Sequence, residues 1–447
     1  MRRPRNIPSP MTASKHTEPS AKIDSIPQEM SDEPRRGMAG GVSWRETFAA
    51  LKHRNFRLFF FGQLVSLIGT WMQGTAQGWL VYRLTGSKVL LGTVAAVGSL
   101  PMLVFALWGG SVADRHPKRT VVIWTQSAMM LTAFVFAALV GSGHIQPWHI
   151  LLLSALGGVA MAFDMPARQA FMVEMTSHED LLNAVSLNSS IVNGARIVGP
   201  AVAGLLMARV GMTWCFLLNG VSFIAVIAGL LLMRLPRFVP PTKPHSTSHH
   251  VLEGFRYVAG HRRVMILLLL FGVVGIFGWS YAVLLPAYAT DVLHVGESGY
   301  GGLLSANGCG AFLGALTVAA YGSRVRSRVM ILGGLWLFSA MLVLLAVVRW
   351  YPLVLACLAV GGWGMLLYFS TTNTLIQGSV SHEMRGRVMG IWALVFGGMM
   401  PIGGLESGFL SHAVGVPWTI AGGALVCAGA GLVTWLVVRR NPPTQTG

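Results

Sequence analysis

From Phe56 onward the chain alternates long apolar runs with short polar breaks. A helix crossing a bilayer needs about 20 mostly apolar residues. Twelve runs approach or exceed that length: 57–82, 90–110, 120–141, 148–165, 186–208, 213–233, 264–286, 299–321, 329–348, 352–373, 387–410 and 417–438. Lipid admits only helices or closed barrels, and these runs are too long and continuous for barrel strands. The pattern predicts an all-α membrane protein with twelve transmembrane helices. Before them, residues 1–43 are rich in Pro, Ser, Arg and Glu and lack the apolar core of a signal peptide. They read as a disordered cytosolic tail. Trp44, Phe48 and Leu51 then recur at helical spacing among Arg45, Lys52 and Arg54, which predicts a short amphipathic helix on the inner membrane surface.

The polar breaks set orientation. Lys and Arg gather in the N-terminal segment, in the loops after spans 2, 4, 6, 8 and 10, and at Arg439 and Arg440. The loops of the other side hold Arg83, Lys88, Arg209 and Arg349. The positive-inside rule therefore puts both termini in the cytosol. The longest internal break, 234–263, carries Pro236, Pro240, Pro241 and Pro244 and divides the spans six and six. The expected organisation is an N-terminal half at 44–233, a cytosolic loop at 234–263, a C-terminal half at 264–438 and a cytosolic tail at 439–447.

The halves look like copies. Ser177-His178-Glu179 returns as Ser381-His382-Glu383, and Pro200 with Gly204 returns as Pro401 with Gly404. The break Gly109-Gly110-Ser111-Val112-Ala113-Asp114-Arg115-His116-Pro117-Lys118-Arg119 has a worn counterpart at Gly322-Ser323-Arg324-Val325-Arg326-Ser327-Arg328 that keeps bases and lacks the acid. Two pseudo-symmetric six-helix halves related by a parallel repeat are a transporter architecture.

Composition agrees. The 447 residues are 53% hydrophobic and 11% charged, against about 25% charged in soluble domains. The formal charge of +17 lies between apolar runs and forms no single basic face, so no nucleic-acid partner is expected. Cys215, Cys309, Cys357 and Cys427 each sit inside an apolar run without a CxxC, so neither a disulfide framework nor a zinc site is indicated. His245, His249 and His250 lie in a Pro/Ser/Thr stretch and read as solvated. No cofactor or metal is expected. Without a nucleophile–base pair or a Walker loop, neither catalysis nor ATP drive is expected.

Two stretches carry a family resemblance. Residues 110–119 resemble the G-x-x-x-D-R-x-x-R/K-R/K signature of the major facilitator superfamily. Residues 194–204, with Gly199-Pro200 and Ala203-Gly204, resemble the fifth-helix signature of its antiporters. Phe163-Asp164-Met165-Pro166-Ala167-Arg168-Gln169-Ala170-Phe171 and Ala195-Arg196-Ile197-Val198-Gly199-Pro200 look like the branch of the enterobactin exporter and related drug exporters. The resemblance covers roughly residues 44–438. It implies a monomeric exporter of the cytoplasmic membrane that moves an amphipathic, drug-like or siderophore-like molecule by alternating access in exchange for protons. An importer or uniporter of a small anionic metabolite on the same fold remains the alternative.

Physical reasons can be given for the motif residues. Gly109 and Gly110 allow close helix approach. Asp114 can sit at the positive N-terminus of helix 11. Arg115 and Arg119 can pair with Asp164, and such contacts exist only when the cytosolic side is closed. With Gly199 and Pro200 in a bent fifth helix, these residues form a candidate conformational gate. Arg196 falls near mid-membrane, where a cation is costly unless it meets a cavity or a partner. Its expected partners are backbone carbonyls, the amides Gln73, Gln77 and Asn193, water, or the substrate. Glu406 and Asp164 are the candidates for proton coupling. Aromatic pocket candidates are Trp71, Trp279, Tyr281, Tyr368 and the deeper Trp363. Trp79, Trp350 and Trp418 fit an interfacial belt.

Overall fold

The computed structural model describes residues 48–177, 179–235 and 247–440. The tail at 1–43, Trp44 and Arg45 of the expected surface helix, His245 and the end of the C-terminal tail lie outside the described residues. Of that surface helix, the structure describes a short 3-10 turn, Ala49–Lys52.

Six helices follow: α1 Arg54–Thr85, α2 Lys88–Arg115, α3 Lys118–Gly141, α4 Pro147–Met175, α5 Leu181–Arg209 and α6 Thr213–Leu231. After the connector come α7 Thr247–Gly260, α8 Arg262–Val292, α9 Glu297–Tyr321, α10 Ser327–Val347, α11 Tyr351–Gly378, α12 His382–Val414 and α13 Val416–Arg440. No strand occurs among the described residues. Eleven of these helices are long and apolar enough to cross a membrane. The remaining long one, α1, has 32 residues, but Gln63, Gln73, Gln77 and its terminal arginines dilute its apolar character. It packs with α5 and α6 as a spanning helix would, so the twelve-helix expectation holds in outline.

The helices outrun the apolar runs. The break between α2 and α3 is reduced to His116 and Pro117, so most of the motif from Gly109 to Arg115 is helical. Likewise α4 continues through Pro166 to Met175, and Asp164 lies inside it rather than at a helix end. Hydrophobicity marks what lipid must cover, whereas hydrogen bonding carries a helix on into water or protein. Two π-turns, Val274–Gly278 and Tyr288–Val292, interrupt α8, and Pro286 lies between them. The central connector is not simply a loop. Its second part forms α7, which lies on α12 through an ion pair of 2.6 Å between Glu253 and Arg387. Buried Val258 supplies an apolar contact on α7.

Packing repeats along the chain. In the first six helices α1 packs on α5 and α6, α2 on α4, and α3 on α4 and α6. Six spans later α8 packs on α12 and α13, α9 on α11, and α10 on α11 and α13. Two further large contacts join the groups, α2 with α12 and α5 with α9, and these too are copies of each other under the same shift. The helix ends that carry Arg115, Arg262, Arg263 and Arg440 are called the basic end below; Thr85, Lys88 and Glu297 mark the opposite end.

Candidate functional site

Small residues bring the two groups together. Gly92 of α2 lies against Gly404 and Gly408 of α12. Gly204 of α5 faces Gly301 of α9, where a Cβ on Gly204 would stand 3.1 Å from the Gly301 Cα. Gly199 points elsewhere, into α1, where a Cβ would meet the Ile68 carbonyl at 2.9 Å. Helix α5 runs unbroken through Pro200. The fifth-helix motif thus packs two neighbours with adjacent faces.

On that crossing surface lies Arg196. Its guanidinium donates to Asn307 Oδ1 of α9 at 2.9 Å. Asn307 in turn donates to the Tyr281 hydroxyl at 2.6 Å and lies 3.4 Å from the Leu358 carbonyl. The guanidinium carbon sits 5.7 Å from the Trp71 ring centroid and 5.9 Å from that of Trp279, so two indole faces flank the charge. No carboxylate pairs with Arg196 among the described residues. Trp71 remains 37% exposed and Arg196 is half-buried, so this charge is not sealed in packing. Beside Trp279 lies an aromatic cluster. Phe369 and Phe396 each meet its edge at 6.2 Å, and Phe271 stacks on Trp392 at 3.6 Å. The arrangement sets a forked, charged donor between two aromatic faces.

The sequence reading missed Asn307, although an asparagine buried in an apolar run was a visible signal. It also named partners that are engaged elsewhere. Gln73 accepts from Asn219 of α6 at 2.7 Å, and Gln77 donates to Ser154 of α4 at 2.8 Å. Asn193 donates back to the Ser189 carbonyl one turn earlier. Trp363 is separate: its indole donates to Thr317 at 3.0 Å and lines an open groove between α9 and α11. Glu406, half-buried in α12, makes no ion pair or hydrogen bond among the described residues.

Ion pairs tie the groups at the opposite end. Arg83 of α1 pairs with Glu297 of α9, which also takes the Trp79 indole N–H at 3.3 Å. Trp79 is therefore buried at the crossing and stacked on Tyr300 at 5.3 Å, and it is not part of an interfacial belt. Tyr82 donates to Asp291 at 2.6 Å, and Lys88 lies 3.5 Å from the same carboxylate.

At the basic end the motif charges do not pair with one another in this conformer. Asp114 and Arg115 are exposed, and their side chains make no hydrogen bond or ion pair among the described residues. Asp164 is fully buried and pairs with Arg168, one turn along its own helix, not with Arg115 or Arg119. Thr125 at 2.8 Å and Gln126 at 2.9 Å complete its shell. Arg119 instead donates to the Leu231 carbonyl at 2.9 Å. Helix geometry brings an i,i+4 partner within reach of Asp164, and Arg119 is taken up by the Leu231 carbonyl. Gly109 packs tightly on the Ala162 carbonyl, but Gly110 faces open space, so close approach rests on Gly109 alone. Asp180, in the turn before α5, binds Lys52 and His53 at 2.7 Å each. With Ser177 they hold its carboxyl down at about 2.

A family model described as a transmembrane secretion effector matches residues 45–443. The staphyloferrin A transporter of Staphylococcus aureus is 24% identical over 83% of this chain and 94% of its own length. The multidrug efflux pump Tap of Mycolicibacterium fortuitum is 27% identical over 80% of this chain and 90% of its own. The enterobactin exporter EntS of Escherichia coli is 26% identical over 78% of this chain and 84% of its own. Among solved structures, a bacterial homologue of the human lysosomal transporter Spinster, inward-facing and unoccupied, superposes with a TM-score of 0.70 at 14% identity. It covers 87% of this chain and 97% of that one. The nucleoside transporter NupG superposes with a TM-score of 0.67 at 15% identity, over 86% of this chain and 99% of that one.

Proposed function

The chain belongs to the transmembrane secretion effector family of the major facilitator superfamily, and from that premise we propose that it exports an amphipathic, anionic or polyphenolic small molecule across the cytoplasmic membrane by alternating access, in exchange for protons. It is a multi-pass membrane transporter and not an enzyme. The observation that carries the substrate reading is the Arg196 guanidinium, held by Asn307 between Trp71 and Trp279 with no carboxylate of its own. A mid-membrane cation without a counter-ion costs several kcal/mol, and a substrate anion would recover that cost. Relatives named as a staphyloferrin A transporter, a multidrug efflux pump and an enterobactin exporter support a small-molecule solute.

In this reading the basic end is cytosolic and the conformer is closed at the outer face by Arg83–Glu297 and Tyr82–Asp291. Exposed Asp114 is then the half of a cytosolic latch that closes on the N-terminus of α12 in the other conformer. Glu406 is the carboxylate left for the proton, since Asp164 is committed to Arg168.

The test is export of a catecholate siderophore, read as its uptake into inside-out vesicles, comparing wild type, Arg196→Gln and Arg196→Lys at matched expression. Loss of export in the glutamine variant, with partial function in the lysine variant, is expected. Export at wild-type rates by Arg196→Gln sinks the substrate assignment. Export that persists when the proton gradient is collapsed removes the antiport.

A further inference from the structure

Away from the crossing surface, a groove of about 630 Å³ opens at the basic end between α8, α10 and α13. Its mouth carries four guanidinium groups, Arg262, Arg263, Arg326 and Arg328, and no carboxylate lines it. Arg263, Arg326 and Arg328 make no ion pair among the described residues. Deeper in, the walls turn apolar, with Ile266, Leu267, Ile331, Leu332 and Val438. Helices α8 and α10 both begin here, and neither His261 nor Arg326 caps its helix through its side chain. The first-turn N–H groups of both add positive potential at the mouth. Trp435 lines the groove and is covered by Arg439, whose guanidinium carbon lies 5.2 Å from the ring.

We propose that this groove is a binding site for an anionic phospholipid, with the phosphate held by the arginines and the acyl chains laid on the apolar wall. The charge is all of one sign, and it lies at the ends of helices long and apolar enough to span a membrane. Basic pockets between spanning helices suit such headgroups. Free phosphate would satisfy the mouth but leave the apolar wall unfilled, so the intact lipid is the occupant that matches both parts. The site belongs to the last six helices and stands whatever the transported solute is. A lipid there joins the basic ends of α8, α10 and α13.

The experiment is native mass spectrometry and thermal unfolding of the full chain in phosphatidylcholine nanodiscs doped with cardiolipin or phosphatidylglycerol. Added phosphatidylcholine and added inorganic phosphate serve as the two controls. Wild type should retain the anionic lipids and unfold at higher temperature with them, and neither control should reproduce this. Each of Arg263→Gln, Arg326→Gln and Arg328→Gln should lower retention about fivefold, matching about 1 kcal/mol per base near a lipid surface. Arg385→Gln, a base at the same end but outside the groove, should change nothing. Equal retention of zwitterionic and anionic lipid by wild type overturns the proposal without reference to any variant. So does an equal thermal shift with phosphate alone, or undiminished retention in all three groove variants.

Discussion

Gly92 of α2 and Gly404 of α12 meet backbone to backbone, and a Cβ at Gly92 would overlap the Gly404 carbonyl oxygen. Gly204 and Gly301 repeat the arrangement at the crossing of α5 with α9. Glycine is required at these points because the helices approach closer than any side chain allows.

Gly92→Ala is therefore expected to force α2 away from α12. Overpacking of this kind costs about 1–3 kcal/mol. A lower thermal midpoint and reduced transport at normal membrane abundance are the readouts. Gly110→Ala meets nothing within contact distance and should match wild type in both.

Glu297 gathers Arg83 and the Trp79 indole from the partner group of helices. Glu297→Gln should weaken the closed opposite end and raise the population open there. Spin labels placed at that end, one on each side of the α1–α9 contact, would report a longer distance. An unchanged distance distribution would show that the glycine packing alone holds this end.

Asp164 and Arg168 stand or fall together. Asp164→Asn removes the buried half of the pair and leaves a half-buried arginine without its counter-ion, a loss of about 3–5 kcal/mol. The double change Asp164→Asn with Arg168→Gln should regain much of that stability. Thermal unfolding in detergent measures both, and a single variant as stable as wild type would remove the pair from the structural frame.

Asp180 gives an acid dependence. Its folded carboxyl is held at about 2, chiefly by Lys52 and then His53, below the ordinary value of about 3.9. The group therefore stabilises the fold above the ordinary value, and that contribution is lost as pH falls from there through about 2. Asp180→Asn should remove this slope from a stability titration. At neutral pH it should also speed amide exchange in the Ala49–Lys52 turn.

Hydropathy and charge determined much of this protein unaided. Transfer into lipid is a nearly additive property of each run, so the spans, the basic end and the two-copy organisation were legible. Their ends were not, because α2 and α4 continue as helix past the residues that lipid selects. Nor did the sequence say which faces meet. Arg196 was legible as a costly cation, but its partner Asn307 lies 111 residues away, across the crossing of α5 and α9. Trp79 fits a belt by position, but its indole reaches Glu297 and stacks on Tyr300 of α9, and Asp164 takes its partner from its own helix in this conformer. The choice of partner depends on the rotation and depth of each helix against its neighbours. Those are set by close packing at a few glycines, which no local sum over one run contains.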